Sequence, residues 1–272
     1  MKKLLMIMIM ALALIAAGCS EATSGEEAGP STIDNVLKEG KLVVGTAPGY
    51  FPFEMIDVNG DFVGYDMDTA RAIGEALDVE VEIRQFEFSG LIPALNSGQI
   101  DMVIAGMTIR GDRALAVSFA DPYFETGQVL MLPKDDTSTG AWEDLDQPGK
   151  KIAVSLGTTG ALLAKQLYQE AEILDFDDFP AAAMALVQGQ ADGVVYDEPG
   201  VRSYEAMNPN DVRGVYDLIS TENLGIAVAH NDLRTVQWLN SFLQAYKGSP
   251  DELESFDKWF NNVDWMDQIE ED

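Results

Sequence analysis

The chain has 272 residues, 47% of them hydrophobic, so it is long enough to bury a substantial core, and general disorder is excluded. Its 46 acidic and 17 basic residues give a formal net charge of −29. Nucleic acids and anionic lipid surfaces need basic protein surface, so neither is an expected partner. We interpret the acidity as a solvated surface typical of salt-loving organisms.

The first 18 residues have the pattern of a secretory signal peptide. Lys2 and Lys3 precede an apolar run over residues 4–17, which is shorter than a membrane-spanning helix requires. Gly18 then leads into Cys19, the single cysteine of the chain, in a stretch that resembles the bacterial lipoprotein cleavage box. We predict export, lipidation of Cys19 and anchoring to the outer face of the cell membrane or in the periplasm. The alternative for this cysteine is a buried or idle thiol.

The elements that follow alternate between strands and helices. Residues 20–31 are rich in Ser, Gly and Glu, and we assign residues 19–40 to the lipidated cysteine and a flexible tether. Strands are predicted over residues 41–46, 79–86, 101–105, 151–155, 172–176 and 192–196. Helices are predicted over residues 66–77, 89–95, 161–170 and 180–188, with Asp66 and Ser89 as N-caps of the first two. This succession is typical of a parallel sheet covered by helices.

One stretch of the chain occurs twice. Residues 94–103 read ALNSGQIDMV and residues 185–194 read ALVQGQADGV. In each copy a helix is predicted to end at a glycine, Gly98 or Gly189, that suits the left-handed C′ position. A buried strand beginning with aspartate follows in both. The chain is therefore predicted to contain two similar α/β lobes.

The expected ligand position follows from the ends of these strands, because open parallel sheets bind ligands beyond the carboxyl ends of their strands. These positions are residues 106–113 in the first predicted lobe, and Asp197 and Glu198 in the second. Facing one another, they are expected to line a cleft. Tyr50 and Phe88 also stand at strand ends and are predicted walls for a ligand side chain, whereas Phe53 is expected in the core.

The segment from Asp101 to Asp121, DMVIAGMTIRGDRALAVSFAD, resembles the bacterial extracellular solute-binding proteins of family 3. This family includes the glutamine, histidine and lysine-arginine-ornithine binders. The resemblance extends from about Lys41 to Trp259. Shorter matches in the same order are Gly64–Asp68, Phe88–Leu95, Gly157–Gly160 and the helix that ends with Lys258, Trp259 and Phe260.

The resemblance implies a two-lobed α/β fold of the periplasmic-binding-protein type II. Each lobe is then a mostly parallel sheet flanked by helices, and two strands form the hinge. The first lobe is assigned to residues 41–126 and 222–272, and the second to residues 127–221. The two crossings between lobes are expected near residues 124–129 and 220–224.

The resemblance also implies how a free amino acid is held. Such a ligand presents a carboxylate and an ammonium close together, and Arg113 has the planar donor fork that suits a carboxylate. By resemblance, backbone N–H groups of Thr108 and of the loop 157–160 assist Arg113, while Asp197 accepts from the ammonium beside the Thr108 hydroxyl and the Gly106 carbonyl. The predicted ligand-binding set is Tyr50, Phe88, Gly106, Met107, Thr108, Arg113, Thr158, Thr159 and Asp197.

Structural alternatives exist for the residues of this set. Arg113 could pair with Asp112 or Asp121 at the surface, as isolated arginines commonly do. Asp197 could instead cap the helix entered at Pro199, and the glycine loop could be a plain turn. Their joint placement, one group in each predicted lobe, favours ligand binding.

The sequence does not determine which side chain the ligand carries. In relatives that take basic ligands or glutamine, an acidic residue follows the threonine of the first strand, but Ala47 stands there, and Ser155 takes the lysine position of the glutamine binder. Glu54, Glu87 and Glu198 would suit a cationic group in the pocket, although we expect each to face solvent. The predicted ligand is therefore a polar amino acid or a related zwitterion such as ectoine.

The function implied by the resemblance is capture of the ligand by hinge closure and delivery to an ABC transporter permease and its ATPase. A monomer without cofactor, metal or catalytic residue is expected.

The alternative is an enzyme on the same fold, of the cyclohexadienyl dehydratase type, with Glu198 or Glu87 as the acid. A sensor module is a third possibility. His230, beside a predicted helix cap at Asn231, is expected to be structural, and the sequence offers no cysteine nucleophile or phosphate loop.

Overall fold

The structure is a computed structural model that describes residues 31–269. Strands β1 to β14 of this part are Lys41–Thr46, Met55–Ile56, Phe62–Val63, Glu80–Gln85, Met102–Val103, Val117–Phe119, Phe124–Thr126, Gln128–Pro133, Lys151–Ser155, Glu172–Phe176, Gly193–Asp197, Val212–Val215, Glu222–Leu224 and Ala227–Ala229. Helices α1 to α8 are Thr32–Glu39, Tyr65–Leu77, Leu91–Asn96, Thr159–Leu167, Phe179–Val187, Glu198–Met207, Leu233–Tyr246 and Pro250–Phe256. None of these helices has the length and apolar sequence needed to cross a membrane. The predicted signal peptide and Cys19 lie outside the described residues.

Two five-stranded sheets form the two lobes. The strand order is β4-β1-β5-β14-β6 in the first sheet and β10-β9-β11-β8-β12 in the second. In each sheet the first three strands run parallel, and the last two add antiparallel pairings. β11 is buried along its whole length, as expected for a central strand covered on both faces. The predicted two-lobed α/β fold is confirmed.

Two short strands connect the sheets. β7 follows the first sheet and leads into the second, and β13 leads back before β14 joins the first sheet. These two strands pair antiparallel, with Glu222 opposite Thr126 and Leu224 opposite Phe124. The predicted hinge of two adjacent extended crossings is therefore present.

The internal repeat is reproduced in the backbone. Gly98 and Gly189 each have a φ of 71°, the left-handed conformation predicted for both. The carboxylate of Asp101 accepts a backbone N–H of β1 at 2.8 Å, and that of Asp192 accepts a backbone N–H of β9 at 2.9 Å. Each aspartate thus fastens its loop to the neighbouring parallel strand.

The two predicted helix caps in the first lobe are wrong. α2 begins one residue earlier than predicted, and the carboxylate of Asp66 is fully buried inside the lobe instead of capping the helix. It accepts hydrogen bonds from the N–H of Gly106 and the hydroxyl of Tyr123, both at 2.8 Å. Ser89 lies within a short 3₁₀ turn that precedes α3.

Part of the predicted tether is helical. In α1 the side chains of Ile33 and Val36 are buried, 3% and 1% exposed. The N-terminus of this helix is held by the start of α7, because the N–H of Thr32 donates to the Asp232 carboxylate and the N–H of Ile33 donates to the Thr235 hydroxyl. Assignment of residues 32–39 to a flexible tether is therefore wrong.

Candidate functional site

A cavity of about 60 Å³ lies between the two lobes. On one side it is lined by residues at or after the ends of β1, β4 and β5, and on the other by residues at or after the ends of β9, β10 and β11. All six are parallel strands, so the cavity occupies the sheet edge at which ligands of such sheets bind.

Seven of the nine predicted ligand-binding residues line this cavity. They are Tyr50, Phe88, Gly106, Thr108, Thr158, Thr159 and Asp197. Met107 does not, because its side chain is 1% exposed and packs in the apolar cluster of the first lobe. Arg113 lies beside the cavity and donates a hydrogen bond to the carbonyl of Thr108, which is a lining residue. Phe53 is fully buried, as predicted.

Arg113 connects the two lobes. It lies in a short 3₁₀ turn after β5 and is 7% exposed. Its Nη1 donates to the carbonyl of Thr108 at 2.8 Å, and its Nη2 donates across the cleft to the carbonyl of Gly157 at 3.1 Å. The guanidinium carbon lies 5.2 Å from the centre of the Phe88 ring. The guanidinium is thus held in a fixed orientation by neutral acceptors and an aromatic face.

Arg113 is a buried cation without an ion pair. No ion pair among residues 31–269 includes it, and Asp112, the expected surface partner, pairs with Arg110 instead. Burial lowers the pKa of Arg113 to about 10 because the charged form loses hydration, and the like charge of Arg110 adds to this effect. A desolvated guanidinium in this position is suited to an anionic ligand group.

Asp197 is the corresponding anion of the second lobe. Its Oδ2 accepts the hydroxyl of Tyr50 at 2.8 Å, and its Oδ1 accepts the side-chain amide of Gln128 at 2.6 Å. It precedes α6, but its carboxylate makes no capping bond, so the capping alternative is wrong. Burial, followed by the negative charge of Glu222, raises the pKa of Asp197 to about 7. Both donors to this carboxylate are neutral groups.

The N-terminus of α4 also reaches the cavity. Thr158 caps this helix by accepting the N–H of Ala161 at 3.1 Å, and Thr159 donates its hydroxyl to that of Thr108 at 3.0 Å across the cleft. Thr108 in turn donates to the carboxylate of Glu222 at 2.7 Å. A helix N-terminus favours negative charge, so one anion-binding feature, α4, lies at the cavity and a second, Arg113, lies beside it.

Glu54 was considered in the sequence analysis for a cationic group in the pocket, but the expectation that it faces solvent is wrong. It lines the cavity and is 1% exposed, and both of its carboxyl oxygens lack a donor among the described residues. Burial and the negative charge of Asp66 raise the pKa of Glu54 well above its usual range, and burial raises that of Asp66 to about 6. The raised pKa values favour the protonated, uncharged form of this pair in the folded protein.

The other acidic residues considered for the pocket differ from Glu54. Glu87 lines the cavity at an exposed position, as expected. Glu198 is half-buried and forms an ion pair with Arg202 one turn along α6. His230 is exposed. The sequence alone gave no signal for the burial of Glu54, which depends on a backbone bridge that folds it back against Tyr50.

Comparison with known proteins gives a consistent assignment. Residues 42–262 match the family of bacterial extracellular solute-binding proteins, family 3. ABC transporter arginine-binding protein 1 of Escherichia coli is 32% identical over 226 residues, which cover 81% of this chain and 90% of that protein. The crystal structure of the ancestral amino acid-binding protein AncCDT-1, a precursor of cyclohexadienyl dehydratase, is 38% identical with a TM-score of 0.80, covering 85% of this chain and 100% of that one.

A second solved structure is the putative binding component of an ABC transporter from Wolinella succinogenes DSM 1740 complexed with lysine. It is 32% identical with a TM-score of 0.80, covering 84% of this chain and 99% of that one. The family match spans both sheets and every residue that lines the cavity. Both the resemblance and the prediction of a binding protein rather than an enzyme are confirmed. The chain belongs to the bacterial extracellular solute-binding proteins, family 3.

Proposed function

We propose that the protein binds a free amino acid between its lobes and delivers it to an ABC transporter. One observation carries the proposal: two buried side chains of opposite charge meet here, with Asp197 in the lining of the cavity and Arg113 beside it, and neither has an ion pair among the described residues. An α-amino acid offers a carboxylate to the first and an ammonium to the second. The arginine-binding and lysine-bound relatives support the same class of ligand.

The ligand carboxylate is assigned to the guanidinium of Arg113 and the N-terminus of α4. A charge-assisted hydrogen bond to a guanidinium is about twice as strong as a neutral one. The donors Thr158 and Thr159 belong to the second lobe and Arg113 to the first, so a carboxylate between them contacts both lobes.

The ligand ammonium is assigned to Asp197, where it replaces the hydroxyl of Tyr50 at Oδ2. An ammonium is a stronger donor to a carboxylate than a neutral phenol, so this exchange favours binding. The hydroxyl of Thr108 and the carbonyl of Gly106 are the accompanying acceptors, and the rings of Tyr50 and Phe88 flank the ligand side chain. A backbone contribution from Met107 is part of the same proposal.

Ligand binding is proposed to favour the closed arrangement of the lobes about the β7–β13 hinge. A ligand shifts such an equilibrium only through a preference for one form, and contact with Arg113 in one lobe and Asp197 in the other supplies that preference. The closed form then docks on the permease as a monomer.

Export and lipid anchoring through Cys19 complete the proposal and rest on the sequence pattern alone. A Cys19→Ser variant is expected to leave the membrane fraction of its host, and the unmodified chain is expected to remain there. Recovery of both forms in the soluble fraction would contradict anchoring.

The test of ligand binding is a thermal-shift screen of the purified protein against the twenty amino acids, ectoine and prephenate, at low and high salt. A ligand at a hundred times its dissociation constant stabilises the folded state by about 2.7 kcal/mol. Arg113→Ala is expected to abolish the shift. Arg234→Ala is the matched control, because Arg234 is exposed and pairs with Asp34 away from the cavity. Stabilisation or turnover of prephenate without any response to amino acids would contradict the proposal.

A further inference from the structure

Glu222 is a buried acid of the hinge and has no part in the proposed contacts to the ligand. It begins strand β13, where it lies opposite Thr126 of β7, and it is 4% exposed. Its Oε2 accepts the hydroxyl of Thr108 at 2.7 Å, and its Oε1 accepts the hydroxyl of Ser220 at 2.9 Å. Each carboxyl oxygen of Glu222 therefore receives one hydroxyl hydrogen bond.

The negative charge of Glu222 is not balanced by an ion pair within residues 31–269. Arg113 and Glu222 influence each other electrostatically without forming one, and the charge of Glu222 also raises the pKa of Asp197. A buried charge without a paired opposite charge is costly, and a neutral amide could accept hydroxyls at lower cost. The two hydrogen bonds alone therefore do not explain an acid at this position.

Glu222 determines the direction of the Thr108 hydroxyl. A hydroxyl has one hydrogen and two acceptor lone pairs, whereas a carboxylate only accepts. Thr108 therefore gives its hydrogen to Glu222 and keeps both lone pairs as acceptors. One lone pair receives the hydroxyl of Thr159 at 3.0 Å across the cleft, and the other has no donor among the described residues. Towards the cavity, Thr108 is thus an acceptor only.

The second hydrogen bond of Glu222 leads to Asp197. Ser220 donates to Glu222 and accepts the backbone N–H of Gln128 at 3.1 Å. The side-chain amide of Gln128 donates to Asp197 at 2.6 Å. Glu222 is therefore connected to both side chains that are proposed to accept the ligand ammonium, directly to Thr108 and through two residues to Asp197.

The loop that carries Thr108 is fixed to the same hinge strand by its backbone. Thr108 forms a backbone bridge with Leu224, and the N–H of Ile109 donates to the carbonyl of Asn223 at 2.8 Å. Because β13 holds both Glu222 and this loop, the bond between the two side chains is independent of the second lobe. The acceptor is oriented before a ligand arrives, which reduces the ordering cost of binding.

We propose that Glu222 is a positioning residue for the α-ammonium of the ligand. By holding the hydrogen of the Thr108 hydroxyl, it reserves a lone pair of Thr108 for the ammonium, and its negative charge lies behind that acceptor. The proposal deepens the proposed function and rests on it, because Thr108 and Asp197 must be acceptors of the ammonium. A ligand that offers only acceptors at this position is disfavoured by the same polarity.

The first test is titration calorimetry at about pH 8 with L-arginine and with 5-guanidinopentanoic acid, the same molecule without the α-ammonium. Glu222→Gln is expected to weaken the binding of arginine by at least about tenfold and that of the deamino acid by less than about threefold. If the thermal-shift screen selects another amino acid, that amino acid and its deamino acid are the probes. A merely structural role of Glu222 would weaken the binding of both probes equally.

The second test is the pH dependence of arginine binding. The ammonium needs Asp197 as a carboxylate, and the pKa of Asp197 is about 7, so the affinity is expected to fall as the pH drops below that value. Loss of the Glu222 charge lowers the pKa of Asp197, so in Glu222→Gln the fall is expected to begin at lower pH. The substitution leaves the other titratable or charged groups that act on Asp197, or on which it acts, in place: Tyr50, Glu54, Arg113 and Tyr196.

Glu252→Gln is the matched control. Glu252 is also a buried acid, 8% exposed, and it accepts the hydroxyl of Tyr65 at 2.8 Å within the first lobe. The variant loses a carboxylate that accepts a hydroxyl away from the cavity. The affinities for both probes and the pH at which arginine binding weakens are therefore expected to stay unchanged.

Equal loss of affinity for the two probes in Glu222→Gln, or a pH profile like that of the unmodified protein, would overturn the positioning role and leave the amino-acid site intact. Neutron diffraction from crystals of the unmodified, ligand-free protein locates the hydrogen of the Thr108 hydroxyl even if the variant does not fold. A hydrogen directed at Glu222 supports the inference, and one directed at Thr159 would overturn it. Absence of binding for all twenty amino acids would instead reject the proposed function, and with it this inference.

Discussion

At the scale of single residues, the cavity is defined by charged groups that are buried without opposite charges. Glu54, Asp66 and Asp197 each have a pKa raised above the ordinary value, with burial as the largest cause. Their acidic forms are therefore favoured in the folded protein. In an unfolded chain the same carboxyls return to ordinary values.

This arrangement predicts that the ligand-free protein becomes more stable on mild acidification. The folded state binds more protons than the unfolded state between the ordinary and the raised pKa values, so the free energy of unfolding rises as pH falls from about 8 to about 5. Each such proton contributes up to about 1.4 kcal/mol per pH unit. Denaturant titrations at a series of pH values measure the slope.

Protonation of any carboxylate also reduces the repulsion within a chain of net charge −29. A comparison of two variants separates the effect of the buried pair from this general one. Asp66→Asn is expected to flatten the pH dependence, because it removes one carboxyl of the buried pair. Asp175→Asn is the control, since Asp175 is exposed and pairs with Lys165 at the surface. Equal slopes in the two variants would show that the buried pair does not set the pH response.

Gly106 provides a second prediction at this scale. Its φ is 52°, and a Cβ added there would lie 2.2 Å from Cε1 of Tyr50. Gly106→Ala is expected to destabilise the protein and to weaken ligand binding by displacing the ring that contacts Asp197. Gly98→Ala is the matched control, with a φ of 71° and no atom within 4 Å of the added Cβ.

The control separates backbone strain from the clash. Gly98→Ala is expected to cost about 1–2 kcal/mol for the left-handed conformation alone, without an effect on ligand affinity. Gly106→Ala is expected to cost more in denaturant unfolding and to lower affinity in calorimetry. An unchanged affinity in Gly106→Ala would mean that the ring position of Tyr50 is not important for binding.

At the scale of elements, several strands were predictable from local pattern. The predicted bounds of residues 41–46, 151–155 and 172–176 match β1, β9 and β10, because each stretch lies between clear turn or helix signals. Asp66 shows the limit of such reasoning. An aspartate before an apolar helical pattern has the local sequence of an N-cap, and only the tertiary fold reveals that its partners are Gly106 and Tyr123.

The cavity residues also include some whose positions local sequence predicts and some whose positions depend on tertiary contacts. The strand-end rule predicted the positions of Tyr50, Thr108 and Asp197, since it depends only on the order of the elements. The burial of Glu54 depends on the bridge that returns the chain to Tyr50 after β1. That contact has no periodic signal in the sequence, so the acid was expected at the surface.

The internal repeat predicts equal roles for its two aspartates. Asp101→Ala and Asp192→Ala each remove one acceptor for a backbone N–H of the neighbouring parallel strand, and Asp192→Ala also removes a partly exposed ion pair with Lys150, which adds little to stability. Each is expected to lower the free energy of unfolding by about 0.5–1.5 kcal/mol, with denaturant unfolding as the measurement. The matched Asp→Asn variants keep a side-chain oxygen as acceptor and are expected to recover most of the loss. Destabilisation by only one of the two alanine variants would contradict equivalent roles.

At the scale of the whole molecule, direct hydrogen bonds join the two lobes around a small cavity. Tyr50 bonds Asp197, Arg113 bonds Gly157, and Thr108 bonds Thr159. The hydroxyl of Tyr50 occupies Oδ2 of Asp197, the position assigned to the ligand ammonium. Binding as proposed therefore requires this bond to break and the lobes to separate or the lining side chains to rearrange.

The Tyr50–Asp197 bond is the one cross-cleft contact among these that the proposed ligand replaces rather than adds to. Tyr50→Phe removes it from the ligand-free protein, where it favours closure, and leaves the contacts of the bound ammonium in place. The variant is therefore expected to have a larger radius of gyration than the unmodified protein without ligand and the same radius with saturating ligand, measured by small-angle X-ray scattering.

Tyr65→Phe is the matched control for this experiment, because the Tyr65 hydroxyl donates to Glu252 at 2.8 Å within the first lobe. It removes a buried phenol hydrogen bond of the same length without affecting the cleft. Its scattering should equal that of the unmodified protein in both states. If Tyr65→Phe expanded the ligand-free protein as much as Tyr50→Phe, the expansion would reflect general loosening of the first lobe. The Tyr50–Asp197 bond would then have no specific part in holding the lobes together.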